Sequence, residues 1–561
     1  MSTSLLSQSA RNYLYEDSQL GAGNFLFKTY ELCKTRDVPF LFLEKPFRTP
    51  YGDEYDELSM RQLLQAVMDL AHWYRAHNIK RGAYVCTYTE EGCSPFLHFL
   101  ALNSIGAIPV PINSQMPTSI AARYARANGF GYFVHDGNIN FDESIAEELR
   151  DIQVLNSATT FSARPETMPT DWPLEKAEDD TVMICHSSGT TGIPKAVIFS
   201  HTQFFNGKRE RLRNFIETDN ERMLTAFPQS HSAGISYLMT ATMLGLPTRI
   251  LSTLTGSTVA AQIQAFQPTV LVAFPQTYLS LISQGLPSGA FGTVRRMINT
   301  GDSAHEAHIS QLLALAPDAR FFDGFGASEL GMSCFWKVSA ANAVTSRRCV
   351  GQPAPYASAR VLDALGNELP AGETGYLAIK SPTVTPGYYN APHLTEMCRL
   401  GQHWLTGDVG YFDPEGNFYH QDRAVDVIAT AAGPAYSLPL EELIQQLPAV
   451  HDAHVIGVGR LPTREHSLIA LVVPHAGANA DPQAVLEILL QQPALAVLRG
   501  RGYAIGVCLA GAGFKAPTGA TGKVLKRALR ETFWDTYRAY CHGEREVFTS
   551  VLWNHAPTGA R

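Results

Sequence analysis

The stretch Ser187-Ser188-Gly189-Thr190-Thr191-Gly192-Ile193-Pro194-Lys195 puts four hydroxyl residues and two glycines into six positions and ends in a proline and a lysine. Apolar runs precede it at 182–185 and follow it at 196–199. This pattern predicts a strand, a tight loop and a second strand. Glycines let backbone N–H groups converge on an anion, hydroxyls add donors, and lysine adds a mobile charge. The stretch therefore predicts a polyphosphate-binding loop, although a surface linker can have the same composition.

The spacing differs from that of a Walker A loop, which needs four residues between its first glycine and its Gly-Lys pair. Here two residues separate Gly189 from Gly192, and Lys195 stands three residues further on. The nonapeptide instead resembles the phosphate loop of the adenylate-forming superfamily of acyl-CoA synthetases, peptide-synthetase adenylation domains and luciferases. The resemblance extends over about residues 50–530. It implies ATP and Mg²⁺ as cofactors and the activation of a carboxylic acid as its acyl-AMP.

Composition and charge narrow the class of protein. The chain has 561 residues, of which 45% are hydrophobic and 17% charged, as in an ordinary globular protein. The net charge of −8 gives no basic footprint for nucleic acid. Nine dispersed cysteines indicate reduced thiols. No apolar run approaches the length of a membrane helix, and residues 1–19 lack a signal-peptide core. We therefore expect a cytoplasmic protein without an integral membrane segment.

The order of apolar runs predicts an α/β fold. Strand-like and helix-like segments alternate between residues 56 and 273, which favours parallel-rich sheets layered with helices. From about residue 349 short strand-like pieces separated by glycine and proline predict a β-rich subdomain. Beyond Arg423 helix and strand mix again. The resemblance implies a hinge here, so we predict an N-terminal domain at 1–424 with the ATP and acyl sites. A small, mobile α+β domain at 425–561 would act as its lid.

Further motifs match the superfamily around the nucleotide. Phe325-Gly326-Ala327-Ser328-Glu329 resembles its Tyr-Gly-x-Thr-Glu motif. The resemblance implies that the aromatic ring stacks on adenine, Ser328 donates to phosphate and Glu329 binds Mg²⁺, a hard cation that needs few protein carboxylates when phosphates also bind it. By itself such a turn is more often structural. The nucleotide-binding prediction also includes Asp323 and Gly324, and the segment Gly301-Asp302-Ser303, where the family has a glycine pair and only one glycine remains.

Two more stretches imply ribose and catalytic contacts. Trp404-Leu405-Thr406-Gly407-Asp408 resembles the family's aromatic-x-Thr-Gly-Asp motif, in which the carboxylate accepts hydrogen bonds from both ribose hydroxyls. The alternative role for Asp408 is a structural one in a β-turn. Arg423 stands where the family has an arginine that contacts ribose or phosphate. Gly522-Lys523 resembles the C-terminal motif with the catalytic lysine, whose ammonium neutralises charge at the attacking carboxylate and the α-phosphate.

The acyl pocket is predicted around residues 227–239. Phe227-Pro228-Gln229-Ser230-His231-Ser232-Ala233-Gly234 resembles the motif that lines the acyl tunnel, and His231 would gate the pocket or contact the acyl carboxylate. A lone histidine is more often structural. Ser232 stands about where amino-acid-activating members have an aspartate for the α-ammonium, and a buried ammonium without a carboxylate is costly. We therefore expect a plain carboxylic acid, in a largely apolar pocket that includes Gly234 and Ile235.

The match weakens at positions that serve the second half-reaction. The hinge residue, usually Asp or Lys, is Val425, and the lysine expected four residues later is Ala429. We predict intact acyl-AMP formation followed by thioester formation with coenzyme A or with the phosphopantetheine of an acyl or peptidyl carrier protein. These substitutions leave open an amide-forming ligase. A luciferase-like oxygenase or a non-catalytic nucleotide- or acyl-binding relative are further alternatives.

Overall fold

Strands and helices alternate through most of the chain in the computed structural model. It describes residues 4–137, 142–161, 163–165, 167–187, 193–301, 304–341, 348–459, 465–499, 505–511, 514–519, 524–541 and 550–553. The strands are β1 Pro39–Arg48, β2 Glu54–Ser59, β3 Tyr84–Tyr88, β4 Ile108–Pro111, β5 Tyr132–His135, β6 Gln153–Asn156, β7 Thr181–His186, β8 Ala196–Ser200, β9 Met223–Ala226, β10 Thr248–Ile250, β11 Val270–Ala273, β12 Arg296–Thr300, β13 Arg320–Gly326, β14 Ser333–Ser339, β15 Cys349–Pro353, β16 Ser358–Leu362, β17 Gly375–Lys380, β18 Arg399–Leu400, β19 His403–Phe412, β20 Phe418–Arg423, β21 Ile428–Thr430, β22 Gly433–Ala435, β23 Val450–Gly459, β24 His466–Pro474, β25 Ile505–Leu509 and β26 Ser550–Trp553.

The helices connect these strands and cover their faces. They are α1 Gln8–Glu16, α2 Phe25–Leu32, α3 Met60–Ala76, α4 Ser94–Ser104, α5 Thr118–Asn128, α6 Glu143–Glu148, α7 Asn206–Arg209, α8 Arg211–Asn214, α9 Ser232–Leu244, α10 Gly256–Phe266, α11 Pro275–Ile282, α12 Glu306–Leu315, α13 Pro392–Met397, α14 Ser437–Ile444, α15 Pro482–Leu490, α16 Pro493–Ala496 and α17 Lys526–Cys541. A single 3₁₀ turn, Ser328–Leu330, follows β13. In the described part of the chain, no helix is long and apolar enough to cross a membrane.

One long sheet positions the candidate site. Its parallel strands lie in the order β13-β12-β11-β9-β10-β1, with Val272 opposite Ile298 and Ile298 opposite Phe322. Parallel strands place their carboxyl ends at one edge, where α/β folds bind ligands. The segments after β9, β11, β12 and β13 therefore meet at the same edge. A second parallel sheet, β4-β3-β5-β6, lies earlier in the chain, and the β7–β8 hairpin encloses the glycine-rich stretch.

The β-rich region continues this long sheet. The strands run in the order β16-β17-β19-β20-β15-β14 up to β13, and all these neighbours pair antiparallel. The predicted β-rich region is therefore present, but it is not a separate sheet, because its strand β14 forms hydrogen bonds with β13 of the parallel part. The boundary predicted near residue 424 falls directly after β20 and stays a prediction.

The C-terminal region mixes helices and strands, as the sequence predicts. The sheet β23-β24-β25-β26 combines antiparallel and parallel pairs, and the β21–β22 hairpin precedes it. This region has its own apolar core, which includes Val455, Leu468, Val485, Leu489 and Ile505. A core of this kind lets the region pack as a separate body against the long sheet.

Most element boundaries follow the sequence pattern, with one clear difference. Residues 56–80 have helical spacing, yet the structure places 56–59 in β2 and begins α3 at Met60. Ser59 sets this start because its side chain accepts from the backbone N–H of Gln62, while the Gln62 side chain accepts from the backbone N–H of Ser59. This reciprocal capping box favours a helix that begins immediately after Ser59.

Candidate active site

A cavity of about 290 Å³ lies at the carboxyl edge of the long sheet, between that sheet and the C-terminal region. Its walls contain nine of the predicted site residues: Ser187, Lys195, His231, Ser232, Gly301, Gly326, Ser328, Glu329 and Arg423. The structure therefore brings together motifs that are as far as 236 positions apart in the sequence (423 minus 187). Such convergence is what a site for one composite substrate requires.

The ends of the glycine-rich stretch are held by the β7–β8 hairpin. The backbone N–H of Ser187 donates to the carbonyl oxygen of Lys195 at 2.9 Å. The ammonium of Lys195 lies 4.9 Å from the centroid of the Tyr388 ring. The phosphate-loop residues Ser188, Gly189, Thr190, Thr191 and Gly192 lie outside the described residues, and so do Asp302, Ser303 and Lys523. Their predicted roles stay predictions.

Tyr388 links the lysine of this loop to the predicted metal ligand. Its hydroxyl donates to Glu329 Oε1 at 2.7 Å. Burial and the charge of Glu329 raise the pKa of Tyr388 well above its ordinary value, so the hydroxyl stays protonated. Among the described residues, no group of three or more His, Cys, Asp and Glu side chains forms a preassembled metal site. A magnesium ion shared with substrate phosphates needs one or two carboxylates, and Glu329 on the cavity wall fits that requirement.

Gly301 and Gly326 sit where backbone must approach other groups closely. Gly301 has φ of +93°, and a Cβ atom there would lie 2.6 Å from the Phe274 ring. At Gly326 a Cβ atom would lie 2.8 Å from the carbonyl oxygen of Met332. Both positions therefore favour glycine on local steric grounds. This packing is independent of any nucleotide contact, so it does not by itself assign the predicted role.

Three predicted nucleotide-binding residues of β13 lie behind the cavity wall. The Phe325 ring packs at 5.0 Å from His420 and at 5.7 Å from Phe335. Asp323 is buried and accepts a hydrogen bond from Asn299 at 2.5 Å, and burial raises the pKa of its carboxyl. Gly324 lies under Trp336, whose ring a Cβ atom would meet at 2.9 Å. Stacking of Phe325 on adenine stays a prediction.

Asp408 is also buried behind the wall, where it anchors residues that do line the cavity. Its Oδ1 lies 3.2 Å from Arg423 Nε and 3.4 Å from His420 Nε2. Burial alone would raise the pKa of Asp408, but the charge of Arg423 and the hydrogen bond from His420 hold it well below its ordinary value. The carboxylate is therefore ionised at neutral pH, as ribose recognition would require.

Helix α9 starts at the cavity and carries the predicted acyl residues. His231 caps the helix because its Nδ1 accepts from the backbone N–H of Ala233 at 3.1 Å. Burial, with a contribution from His186, lowers the pKa of His231 to about 3, so the imidazole is neutral. Ser232 lies on the cavity wall, whereas Gly234 and Ile235 do not. Gly234 instead lets the helix approach the 228–229 backbone, and Ile235 is fully buried in the core.

Several wall residues escaped the sequence analysis. Lys526 begins α17 and places its Nζ 2.7 Å from Glu441 Oε1, with a further hydrogen bond to Ser437. Burial alone would lower the pKa of Lys526, but the charges of Glu441 and Asp422 raise it. Lys526 could have been recognised from the sequence, because it stands three residues after the predicted catalytic Lys523. Arg211 in the short helix α8 had none, because short charged segments are usually exposed.

The C-terminal region closes the cavity through polar contacts. His305 Nδ1 lies 3.0 Å from Glu442 Oε2, and the backbone N–H of Glu306 donates to Glu442 Oε1 at 2.7 Å. His308 Nε2 lies 3.0 Å from the carbonyl oxygen of His451. These contacts bring Val524 and Lys526, the described neighbours of Lys523, to the cavity wall. Residues of the long sheet and of the C-terminal region therefore line the same cavity.

Comparison with known proteins agrees with this layout. The AMP-binding enzyme family matches residues 37–389. A 3-aminoavenalumate diazotase from a Streptomyces species is 34% identical over 94% of this chain and 99% of its own length. The fatty acid–[acyl-carrier-protein] ligase ScoC of Streptomyces coeruleorubidus is 24% identical over 85% of this chain and 92% of its own length.

The fold is that of a solved adenylate-forming enzyme. O-succinylbenzoate coenzyme A synthetase from Bacillus subtilis, in complex with ATP and magnesium ion, superposes with a TM-score of 0.74 at 20% identity. The superposition covers 90% of this chain and 99% of that one. The predicted α/β fold and the predicted class, an adenylate-forming ligase, are confirmed. The chain belongs to the AMP-binding enzyme family.

Proposed function

We propose that this enzyme uses ATP to activate nitrite as its adenylate and transfers the nitroso group to an aromatic amine, as a diazotase. The observation that carries this proposal is the 34% identity to the diazotase, which spans 99% of that relative. The carrier-protein ligase shares 24% over a smaller part of both chains. Similarity therefore favours a nitrogen acceptor over a thiol acceptor.

The C-terminal positions that differ from the family support the same choice. Val425 is 63% exposed, and Ala429 lies on the exposed edge of the β21–β22 hairpin, where its backbone N–H donates to His466. The resemblance implies charged residues at both positions in members that rotate the lid for thioester formation. An enzyme that transfers its activated group to a small amine inside the cavity needs no second face for a thiol.

The reaction balances without an oxidant or a reductant. A nitrite oxygen attacks the α-phosphorus of ATP, the bond to the bridging oxygen breaks, and pyrophosphate leaves. The amine nitrogen then attacks the nitroso nitrogen, the N–O bond to AMP breaks, and AMP leaves with that electron pair. The resulting N-nitrosammonium ion loses a proton from nitrogen to give the N-nitrosamine. This species tautomerises to the diazohydroxide, which releases hydroxide as the diazonium ion forms.

The wall residues suit the charges of these steps. Lys195 and Glu329 both line the cavity, where the ammonium would meet the phosphates and the carboxylate would hold a magnesium ion that could neutralise charge on the departing pyrophosphate. Lys523 would neutralise charge at the α-phosphorus when the lid is closed. Because Nδ1 of neutral His231 accepts from the backbone N–H of Ala233, the imidazole carries its proton on Nε2 and would act as a hydrogen-bond donor at the transfer site, while the proton that the amine loses would pass to water.

The test compares two substrate sets under the same conditions. The enzyme is supplied with ATP, Mg²⁺, nitrite and 3-aminocinnamate, and the diazonium ion is trapped as a coloured azo dye. We expect stoichiometric dye, AMP and pyrophosphate. The parallel reaction contains cinnamate and coenzyme A. Thioester without any dye from the first reaction would overturn the proposal.

A second candidate is the acid–thiol ligase that the sequence predicts. The observation that favours it is the ligase relative, which covers 85% of this chain and is named for a carrier-protein acceptor. In this case a carboxylic acid would be adenylated and passed to coenzyme A or to a phosphopantetheine carrier. The parallel reaction with cinnamate, repeated with a carrier protein, detects it. We place either activity in the cytoplasm, where the eight described cysteines would stay reduced as they are here.

A further inference from the structure

Arg211 brings a fixed positive charge to the wall of the cavity. Its Nη1 donates to Ser236 Oγ and to Thr240 Oγ1, both at 3.0 Å. The guanidinium carbon lies 4.3 Å from the centroid of the Tyr237 ring. Stacking and two hydrogen bonds hold the group in one orientation, which leaves one edge of its planar fork for another ligand.

That edge has no counter-ion. Among the described residues no carboxylate forms an ion pair with Arg211, and all its hydrogen bonds start from Nη1. The nearby ammonium of Lys208 is buried and donates to the backbone carbonyl oxygens of Phe204 and Gly331. A half-buried guanidinium without a carboxylate partner is costly unless a ligand supplies the negative charge.

The part of α9 that Arg211 contacts sets the size of that ligand. Ser232, at the start of the helix beside His231, and Ser236 both line the cavity. They stand four residues apart, which is about 6 Å of helical rise, and Thr240 lies about 12 Å along. Three aromatic side chains also line the cavity: Tyr237, Phe274 and Trp336. An aryl group would therefore fit between the transfer site and Arg211.

We propose that Arg211 binds the carboxylate of the acceptor, so that the enzyme selects aromatic amines which carry a carboxylate on the far side of the ring. This inference rests on the proposed diazotase function and names its substrate class. Planar guanidinium and carboxylate groups match in a two-pronged hydrogen bond. The ring would lie against the aromatic wall, and the amine would point towards the nucleotide.

The first test compares 3-aminocinnamate with its methyl ester as diazotase substrates. We expect the wild-type enzyme to use the free acid with a kcat/KM about 10- to 100-fold higher, the range for a lost charged hydrogen bond. Arg211→Gln should abolish this preference through a higher KM for the acid, and Arg211→Lys should restore part of it. Thermal unfolding followed by circular dichroism shows whether Arg211→Gln is folded, and we expect its melting temperature to stay close to that of the wild type.

The second test measures binding of the acceptor in the absence of the reaction. Calorimetry without ATP or nitrite measures binding of 3-aminocinnamate and of the ester to wild type, Arg211→Gln and the control Arg213→Gln. Arg213 lies two residues away in α8, but it forms an ion pair with Glu16 and does not line the cavity. Of the three proteins, we expect only Arg211→Gln to bind 3-aminocinnamate weakly. If the enzyme forms no diazonium ion but this pattern holds, the diazotase function is wrong and the carboxylate site stands. Equal binding of acid and ester by wild type, or a preference that survives in Arg211→Gln, overturns the proposal.

Discussion

Two lysines that stand three residues apart in the sequence, Lys523 and Lys526, are expected to have separate tasks. Lys523 is predicted to assist attack on the α-phosphorus, whereas Lys526 pairs with Glu441 and neighbours Asp422. We expect Lys523→Ala to slow ATP–pyrophosphate exchange by about 100-fold or more without a change in thermal stability, because only transition-state charge is lost. Lys526→Met leaves two buried carboxylates uncompensated, and should destabilise the docked C-terminal region by about 3 kcal/mol.

Parallel measurements of exchange rate and thermal unfolding separate these two effects. If Lys523→Ala lowers the melting temperature as much as Lys526→Met does, both lysines stabilise the fold. Normal exchange by a stable Lys523→Ala protein would show that the C-terminal motif does not act in adenylation.

Glu329 provides a prediction about magnesium. Its carboxylate lies on the cavity wall with one oxygen already bonded to Tyr388. Glu329→Gln keeps the side-chain volume and removes the charge, so we expect the Mg²⁺ concentration for half-maximal exchange to rise on the order of tenfold. A magnesium titration of both proteins measures this value. Tyr388→Phe is the matched control, because it removes the hydroxyl that donates to Glu329 but keeps the carboxylate. An equal rise in the magnesium requirement of Tyr388→Phe would mean that the effect comes from the position of Glu329 and not from its contact with the metal.

At the scale of single elements, the start of α9 depends on one glycine. A Cβ atom on Gly234 would lie 2.3 Å from the carbonyl oxygen of Pro228 and 2.7 Å from Gln229 Cα. We expect Gly234→Ala to push the helix away and cost about 1–3 kcal/mol of unfolding free energy, because backbone atoms yield little. The shift would also move His231 and lower activity.

Chemical denaturation of Gly234→Ala and of a control measures this cost. Gly131→Ala serves as the control, because a Cβ atom there meets nothing within 4 Å. Equal stability of the two variants would mean that the helix start tolerates movement.

Helix α9 also shows which features of the fold and of the candidate site can be predicted from the sequence. The apolar run 233–244 predicts α9 within one residue, and the motif places His231 and Ser232 at the cavity. Local pattern is enough there because helix start and motif coincide. It fails for Arg211, whose place on the wall depends on α8 packing against Ser236 and Thr240 of α9. It also gives no signal for the packing of Phe325, whose ring contacts Phe335 of β14 and Phe418 of β20. Contacts between distant segments leave no local period in the sequence.

At the scale of the whole molecule, histidines lie at the junction between the long sheet and the C-terminal region. His305 lies just before α12 and faces Glu442, with Glu441, Arg348 and Asp452 nearby. Burial alone would lower the pKa of His305, but the hydrogen bond and charge of Glu442 raise it above 6.5. Burial alone would raise the pKa of Glu442, but His305 lowers it below 4.5. His308 and His451 shift the other way, because burial lowers the pKa of each.

These shifts predict a pH-dependent closure. The contribution of His305 is complete below pH 6.5 and disappears as the pH rises through its raised pKa, whereas that of Glu442 disappears as the pH falls below 4.5. His305→Gln should therefore weaken docking most between these values, and its effect should shrink as the pH rises through the raised pKa of wild-type His305. Hydrogen exchange of the α14 amides at pH 5.5 and 9, corrected for intrinsic rates, measures docking in both proteins. The difference between variant and wild type isolates His305, because His308 and His451 titrate in both proteins. A difference of the same size at pH 9 would mean that packing, and not the charged pair, holds the lobes together.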